Sequence, residues 1–374
     1  MSQFQVSRTD LTRTRLVEDP AIADEQTLPD GEALVRVDRF GLSANNVTYA
    51  VLGDRLGYWR FFPALDDAAG QWGVMPVWGF GDVVASRADD LREGERLFGY
   101  FPPATHLRLR PEGRPGRPVR DGAPHRAALP SSYNSYLRVL DEAGYDRADD
   151  DLRMLLFPLH ITAWALWEQL RSEEWYGAHQ AVIVSASSKT ALGVAHALRL
   201  DDTAPRVVGI TSPGNRAFVE GLGLYDEVLE YDAVEASLAH RPSVVVDMSG
   251  NRAVLGGLHR YLGEDMRRSL NVGLTHWEDS GGGGSDLIRE RSEMFFAPSV
   301  ITARHQEWGA QEYGRRTSEF LAGALKAGRD WLRIERSEGL ETLDALYSAV
   351  RDGSAAPEVG FVIAPRPDAG REVS

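Results

Sequence analysis

From residue 181 onward the chain alternates short apolar runs with segments of helical pattern. "AVIVSAS" precedes "KTALGVAHALR", "RVVGITS" precedes "NRAFVEGLG", then come "EVLEYD", "SVVVDMS" with "NRAVLGGLHRYLG", and "RRSLNVGLTHW". A half-exposed strand would alternate polar and apolar residues, and these runs do not. They read as strands of a parallel sheet whose two faces are covered by the intervening helices. The fold class is therefore α/β with a doubly wound parallel sheet.

Such a Rossmann-type sheet binds nucleotides outside the carboxyl ends of its strands, so the residues that follow each apolar run are the candidate ligands. A chain of 374 residues exceeds one ordinary core, and two domains are expected. The first hundred residues supply the other: "EALVRVDRFGLS" (32–43), "VWGFGDVVAS" (77–86) and "LREGERLFGYFP" (91–102) are short strands broken by turns, a β-rich, barrel-like pattern. Residues 107–150, with "RLRPEGRPGRPVRDGAPHR", read as a long surface loop outside any sheet. "DLRMLLFPLHITAWALWEQL" (151–170) reads as a buried helix broken or entered near Pro158, and "SGGGGSD" (280–286) as a flexible connector. The last short strand, "GFVIAP" (360–365), returns to the first domain. The expected division is 1–150 completed by 310–374, with the Rossmann domain at 151–309.

Composition removes several functions. A formal net charge of −14 disfavours nucleic acid and anionic membrane surfaces as partners. No run of about 18 apolar residues occurs, and "MSQFQVSRTDLTRTRLVEDP" lacks a signal-peptide core, so a cytoplasmic location is expected. The chain has no Cys, which removes disulfides, thiolate nucleophiles and thiolate zinc sites, and its nine His show no paired-ligand spacing. No metal is expected.

Five local matches, in order, resemble the medium-chain dehydrogenase/reductase superfamily, in particular its zinc-free quinone- and enoyl-reductase-like branch. They are "GLSANNVTYAVLGD", "MPVWGFGDVVAS", "DLREGERLFGY", "PLHITAWALW" and "FFAPSVITARHQEWG". The resemblance implies a GroES-like barrel domain beside the Rossmann domain, NADPH as cofactor, a small carbonyl-containing substrate and a homodimer joined at the sheet edge near "LNVGLTHW". Where zinc-dependent members carry a Cys and a Gly-His-Glu motif, this chain has Ser43 and Gly79–Gly81 with Phe80 between them. "SASSKTA" with "LTHW" is also similar to an uncharacterised bacterial subfamily.

The phosphate turn departs from the superfamily. Its glycines let backbone approach a pyrophosphate at a helix N-terminus. Here Ser187, Ser188, Lys189 and Thr190 occupy the turn, with Ala191 and Gly193 beyond. Hydroxyls and an ammonium contact phosphate directly in one reading; in the other, Ser187 or Ser188 only caps the helix. The phosphate loop G-x-x-x-x-G-K-[ST] fails at Ile183 and Ser188, S-x-x-K fails at Ala186, and no G-x-S-x-G is present.

The second strand ends in Thr211 and Ser212, followed by Asn215 and Arg216, with no carboxylate for ribose hydroxyls. That set suits the 2′-phosphate of NADPH, or is an ordinary strand-to-helix loop. Asp247, Ser249 and Gly250 end another strand, and Thr275, His276 and Trp277 another; each group is a cofactor contact, a helix cap or packing. Asn46 and Tyr49, with Tyr58, Trp59 and Tyr100, are pocket or core residues of the first domain. Thr162 corresponds by resemblance to a threonine facing the nicotinamide, and His160 is a buried imidazole or a proton shuttle.

Three functions follow. The first is zinc-independent, NADPH-dependent reduction of an activated C=C bond or quinone, with Asn46, Tyr49, Thr162 and His160 at the reacting centre. The second is a non-redox hydrolase or lyase acting on a carbonyl compound through Lys189, Ser187 or Ser188 with His160 or His276. The third is a non-catalytic NADPH-binding protein.

Overall fold

The computed structural model describes residues 1–113, 117–272 and 287–365. It is a mixed α/β chain in two compact units, Met1–Leu155 with Leu332–Ser374, and Leu156–Trp331. The second unit extends past residue 310, because helix Ala297–Gly328 runs on through a break at Gly309, where φ is 76° and ψ 165°. Connector 280–286 and Thr275, His276 and Trp277 lie outside the described residues.

In the first unit, strand Ala33–Leu42 is flanked by Val77–Ser86 and by the C-terminal strand Val359–Ala364, both antiparallel to it. The tail strand therefore joins this sheet, with Val362 opposite Gly41. Residues 107–150 are not a surface loop. They contribute strands Val119–Asp121 and Ser135–Arg138, and Ser135–Arg138 pairs with Arg96–Phe101 to extend the sheet. Composition misleads here because Arg126 is buried and paired. It contacts Asp121 at 3.1 Å, donates to the Phe61 carbonyl, the Asn134 amide oxygen and the Tyr136 hydroxyl, and stacks on Phe62.

The helix expected to break near Pro158 is continuous over Asp150–Ser172. A single proline removes one hydrogen bond and clashes locally, and the packing of the apolar residues on either side holds the helix through it.

In the second unit the sheet order is Glu227–Glu230, Arg206–Thr211, Gln180–Val184, Ser243–Asp247, Met266–Asn271, Ser292–Met294, every pairing parallel. Counted from Gln180–Val184, this is 3-2-1-4-5-6. All residues of the two central strands are buried. Ala181 and Ile183 pack with Trp164, Val194 and Leu198 on one face, and Val182 and Val184 pack with Leu255, Leu258 and Leu262 on the other. That two-sided burial is the reason for the continuous apolar runs. The edge expected near residues 270–277 is covered by Ser292–Met294, with Leu270 opposite Glu293. Among the described residues no helix is long and apolar enough to cross a membrane.

The first unit is stapled by one buried cation. Arg96 is 3% exposed and donates to Asp38 at 2.7 Å, Asp82 at 2.7 Å, Asp150 at 2.6 Å and the Tyr145 hydroxyl at 3.0 Å. Burial raises the Asp150 pKa, and Arg96 opposes that shift. Arg96→Ala leaves Asp150 buried without its cation and is expected to cost about 3–5 kcal/mol in urea unfolding. A loss under about 1 kcal/mol would show that the network is solvated.

Candidate functional site

The candidate site lies at the carboxyl edge of the parallel sheet, where the strand order reverses between Gln180–Val184 and its two neighbours. The turn after Gln180–Val184 begins at Ser185, whose φ is +62°. A left-handed backbone costs a side-chain-bearing residue about 1–2 kcal/mol. The chain recovers this through contacts: the Ser188 amide donates to the Ser185 carbonyl at 3.0 Å, and the Ala186 amide donates to the Ile210 carbonyl at 2.9 Å. Tyr225 donates its hydroxyl to the Ala186 carbonyl at 2.8 Å. Gly209 makes the approach possible, since a Cβ there would stand 2.9 Å from that of Ala186 and 2.8 Å from the Tyr225 ring.

The hydroxyls of the turn have protein partners. Ser187, buried, accepts from the Asn215 amide at 3.0 Å, and Ser188 accepts from the Ala191 amide as the N-cap of helix Lys189–Arg199. Lys189 and Thr190 are half-buried at the first turn of that helix, where the helix dipole is positive. Gly193 is a packing glycine: a Cβ there would lie 2.8 Å from the Ala163 Cβ and the His160 ring.

Next to the turn, Thr211 is buried and its hydroxyl has no hydrogen-bond partner among the described residues. Ser212 is the N-cap of helix Pro213–Gly221, with no side-chain bond to it. Arg216 is tied to Glu220 at 2.8 Å and to Glu230 at 3.4 Å. Across the sheet Asp247 is fully buried. One of its oxygens accepts from the Ser249 amide and hydroxyl, and the other has no partner among the described residues. Burial raises its pKa, and the Ser249 contacts oppose the shift. Gly250 follows with φ +63°. Burial raises the Tyr231 pKa, the Asp247 carboxylate adds to the shift and Ser185 opposes it.

The edge thus gathers Ser187, Ser188, Lys189, Thr190, Thr211, Ser212, Asn215, Arg216, Ser249 and Gly250 on the ends of neighbouring strands. Sequence reasoning passed over Ser185, Tyr225 and Tyr231. Ser185 and Tyr231 were recoverable as the residues immediately after the first and third strands, whereas nothing in the local pattern marks Tyr225.

Thr162 donates to the Pro158 carbonyl at 3.1 Å within its own helix. His160 is 3% exposed, and neither ring nitrogen has a hydrogen-bond partner among the described residues. In the first unit Asn46 is engaged at both ends, accepting from the Ser43 amide and donating to the Pro76 carbonyl at 3.0 Å. Tyr49 is buried beside Tyr58, Tyr100 and Tyr133, and its oxygen accepts from Asn45 at 2.6 Å and Trp78 at 3.2 Å. Burial pushes the Tyr49 phenol far above its ordinary pKa. Among the described residues no group of three or more His, Asp or Glu could hold a metal ion.

With this geometry in place, the fold matches solved structures along nearly its whole length. CurA from Vibrio vulnificus in complex with NADPH superposes with a TM-score of 0.63 at 14% identity, over 98% of this chain and 100% of that one. CurK enoyl reductase gives 0.54 at 12% identity, over 98% and 99%. Haloferax mediterranei glucose dehydrogenase in complex with NADP, Zn and gluconolactone gives 0.54 at 13% identity, over 97% and 99%. An enoyl reductase and a dehydrogenase thus share this fold. A family model described as "Protein of unknown function (DUF2855)" matches residues 40–356, and the chain belongs to that family. No curated protein matches it.

Burial depresses the His160 pKa to about 3, and the nearby His196 adds to the effect; the Lys189 carbonyl opposes it from outside hydrogen-bonding geometry. An unfolded His binds its proton below about pH 6.5, but the folded His160 does not until about pH 3. Its contribution to stability is therefore complete above pH 6.5 and is lost as the pH falls towards 3. Unfolding free energies measured between pH 6 and 4 should fall less steeply in His160→Gln than in the parent, by up to about 1.4 kcal/mol per pH unit. Equal slopes would show that His160 takes up its proton in the folded protein.

Proposed function

We propose that the chain is a zinc-independent, NADPH-dependent reductase of an activated C=C bond or quinone in a small carbonyl compound, built from a GroES-like barrel domain and a Rossmann domain. The observation that carries this reading is the carboxyl edge of the 3-2-1-4-5-6 sheet. There a tight turn opens a helix N-terminus beside Lys189, and the second strand ends in Thr211 rather than a carboxylate. The orphaned Thr211 hydroxyl and the uncommitted Ser212 side chain are what a ribose phosphate would engage. NADPH bound there supplies the hydride. The absence of Cys supports zinc-independence.

Under this reading Lys189, Thr190 and the helix N-terminus receive the pyrophosphate. Thr211, Ser212 and Arg216 receive the 2′-phosphate, with Arg216 exchanging a carboxylate for it. Ser187 and Asn215 hold each other and fix the turn, and Ser249 and Gly250 line the ribose side. Tyr49 accepts two hydrogen bonds and remains protonated, so its O–H is the donor suited to polarise a carbonyl and to return a proton. Asn46, spent on backbone groups, positions the helix that bears Tyr49. The hydrolase or lyase reading has less support, because Ser187 is held by Asn215, Ser188 caps a helix and His160 packs against Gly193. The same reading makes the protein a cytoplasmic homodimer joined at strand Ser292–Met294, beside which Met294 and Phe296 are exposed.

Titration with NADPH and NADH, followed by nicotinamide fluorescence, tests the proposal. NADPH should bind more tightly, Lys189→Ala should weaken both nucleotides, and Arg216→Ala should narrow the preference about tenfold, the value of one charged contact. No binding of either nucleotide at millimolar concentration would sink the reading. If NADPH binds, its consumption with an enone and quinone panel separates an enzyme from a binding protein, and Tyr49→Phe should lower kcat by about 100-fold or more.

A further inference from the structure

A cavity of about 240 Å³ lies within the second unit. Helix Asp150–Ser172 supplies His160, and helix Lys189–Arg199 supplies Leu192 and His196. Leu222 and Leu224 follow helix Pro213–Gly221, and Ala324, Ala327, Asp330 and Trp331 come from the end of the long helix and the turn after it. The buried floor is His160, Leu192 and Ala324, and the mouth is exposed at Gly221 and Asp330.

Two imidazoles stand among leucine, alanine and tryptophan side chains in this lining, which also includes Asp330, and they have open hydrogen-bonding capacity. Both nitrogens of His160 and Nε2 of His196 are buried without a partner among the described residues. Leaving such groups unsatisfied costs about 1–3 kcal/mol each, so the arrangement calls for an occupant. A neutral imidazole offers one donor and one acceptor, which suits a hydroxyl, since a hydroxyl is both at once.

The lining also selects against other chemistry. Water could meet the nitrogens but would face leucine, alanine and tryptophan elsewhere. An anion would find no cation in the lining and would approach Asp330. An apolar cavity of about 150 Å³ holds benzene, so this one has room for a single ring bearing a polar group.

We propose that this cavity is a binding site for a neutral, one-ring aromatic alcohol, a phenol, held between His160 and His196 with its ring against Leu192, Leu222 and Trp331. The hydroxyl donates to one imidazole and accepts from the other. The site is independent of the nucleotide reading, and it is tested without nucleotide.

Isothermal titration calorimetry of the full-length protein with phenol, benzene and benzoate is the test. Phenol should bind with a Kd below about 1 mM and at least about tenfold more tightly than benzene, the value of one hydrogen bond, and benzoate should not bind. His160→Leu and His196→Leu should each erase the margin of phenol over benzene while retaining benzene, which shows that the cavity still forms. Ala327→Phe, which fills the cavity, should abolish both. The proposal is overturned if phenol fails to bind, if benzene binds equally well to the parent protein, if benzoate competes with phenol, or if phenol binding survives Ala327→Phe. A site holding only water gives the first of these results.

Discussion

The contact between Ala186 and Gly209 governs the geometry of the candidate site. Gly209 lies on the strand paired with Gln180–Val184, Ala186 lies in the turn that leaves the latter, and a Cβ at Gly209 would overlap Ala186 and Tyr225. With glycine there, the chain leaving Gln180–Val184 folds back over the second strand, and the Ala186 amide finds the Ile210 carbonyl. That fold-back sets Ser185 in the left-handed region and brings Ser187 to Asn215. It also aims the N-terminus of helix Lys189–Arg199 at the sheet edge. A glycine in the turn itself would reach the same backbone with less strain but without the serine hydroxyls.

This separates two jobs that glycines share in dinucleotide turns. Permitting close packing falls here to Gly209 and Gly193, on the second strand and in the helix. In the proposed nucleotide reading, meeting the ligand would be left to side chains and amides at the helix N-terminus. A turn whose serines are already bonded to Asn215 and to the helix amides is pre-organised, and binding then orders fewer groups.

The second unit was legible because its signal is collective. A sheet buried on both faces demands uninterrupted apolar strands, and residues 180–184 and 243–247 show that demand whatever their neighbours do. Residues 107–150 were illegible for the opposite reason. Arg126 reads as a surface residue until Asp121, Asn134 and Tyr136 are brought round it by the pairing of two short strands that no periodicity in the sequence announces. Pro158 misled in the same way, since tertiary burial outweighs a local helix breaker. At the site, strand-end residues such as Thr211 and Asp247 could be named from the pattern. Tyr225 could not, because it precedes its strand, at the end away from the turn, and reaches the Ala186 carbonyl only through the fold.

Arg216 shows how charge shapes the proposed nucleotide preference. Its guanidinium is shared between Glu220 and Glu230, so a phosphate there must compete with carboxylates already in place. The chain as a whole repels a polyanion, with 55 acidic against 41 basic residues. At physiological salt that repulsion is screened beyond about 8 Å, which leaves the decision to groups at the strand ends. An exposed pair with a carboxylate is worth about 1 kcal/mol or less, and a bidentate phosphate contact is stronger. Under the proposed reading a 2′-phosphate would take the place of Glu220 or Glu230 on Arg216, and discrimination against the nucleotide lacking that phosphate would be modest, because the guanidinium is paired either way. The two glutamates keep Arg216 positioned and at the same time limit how selective it can be.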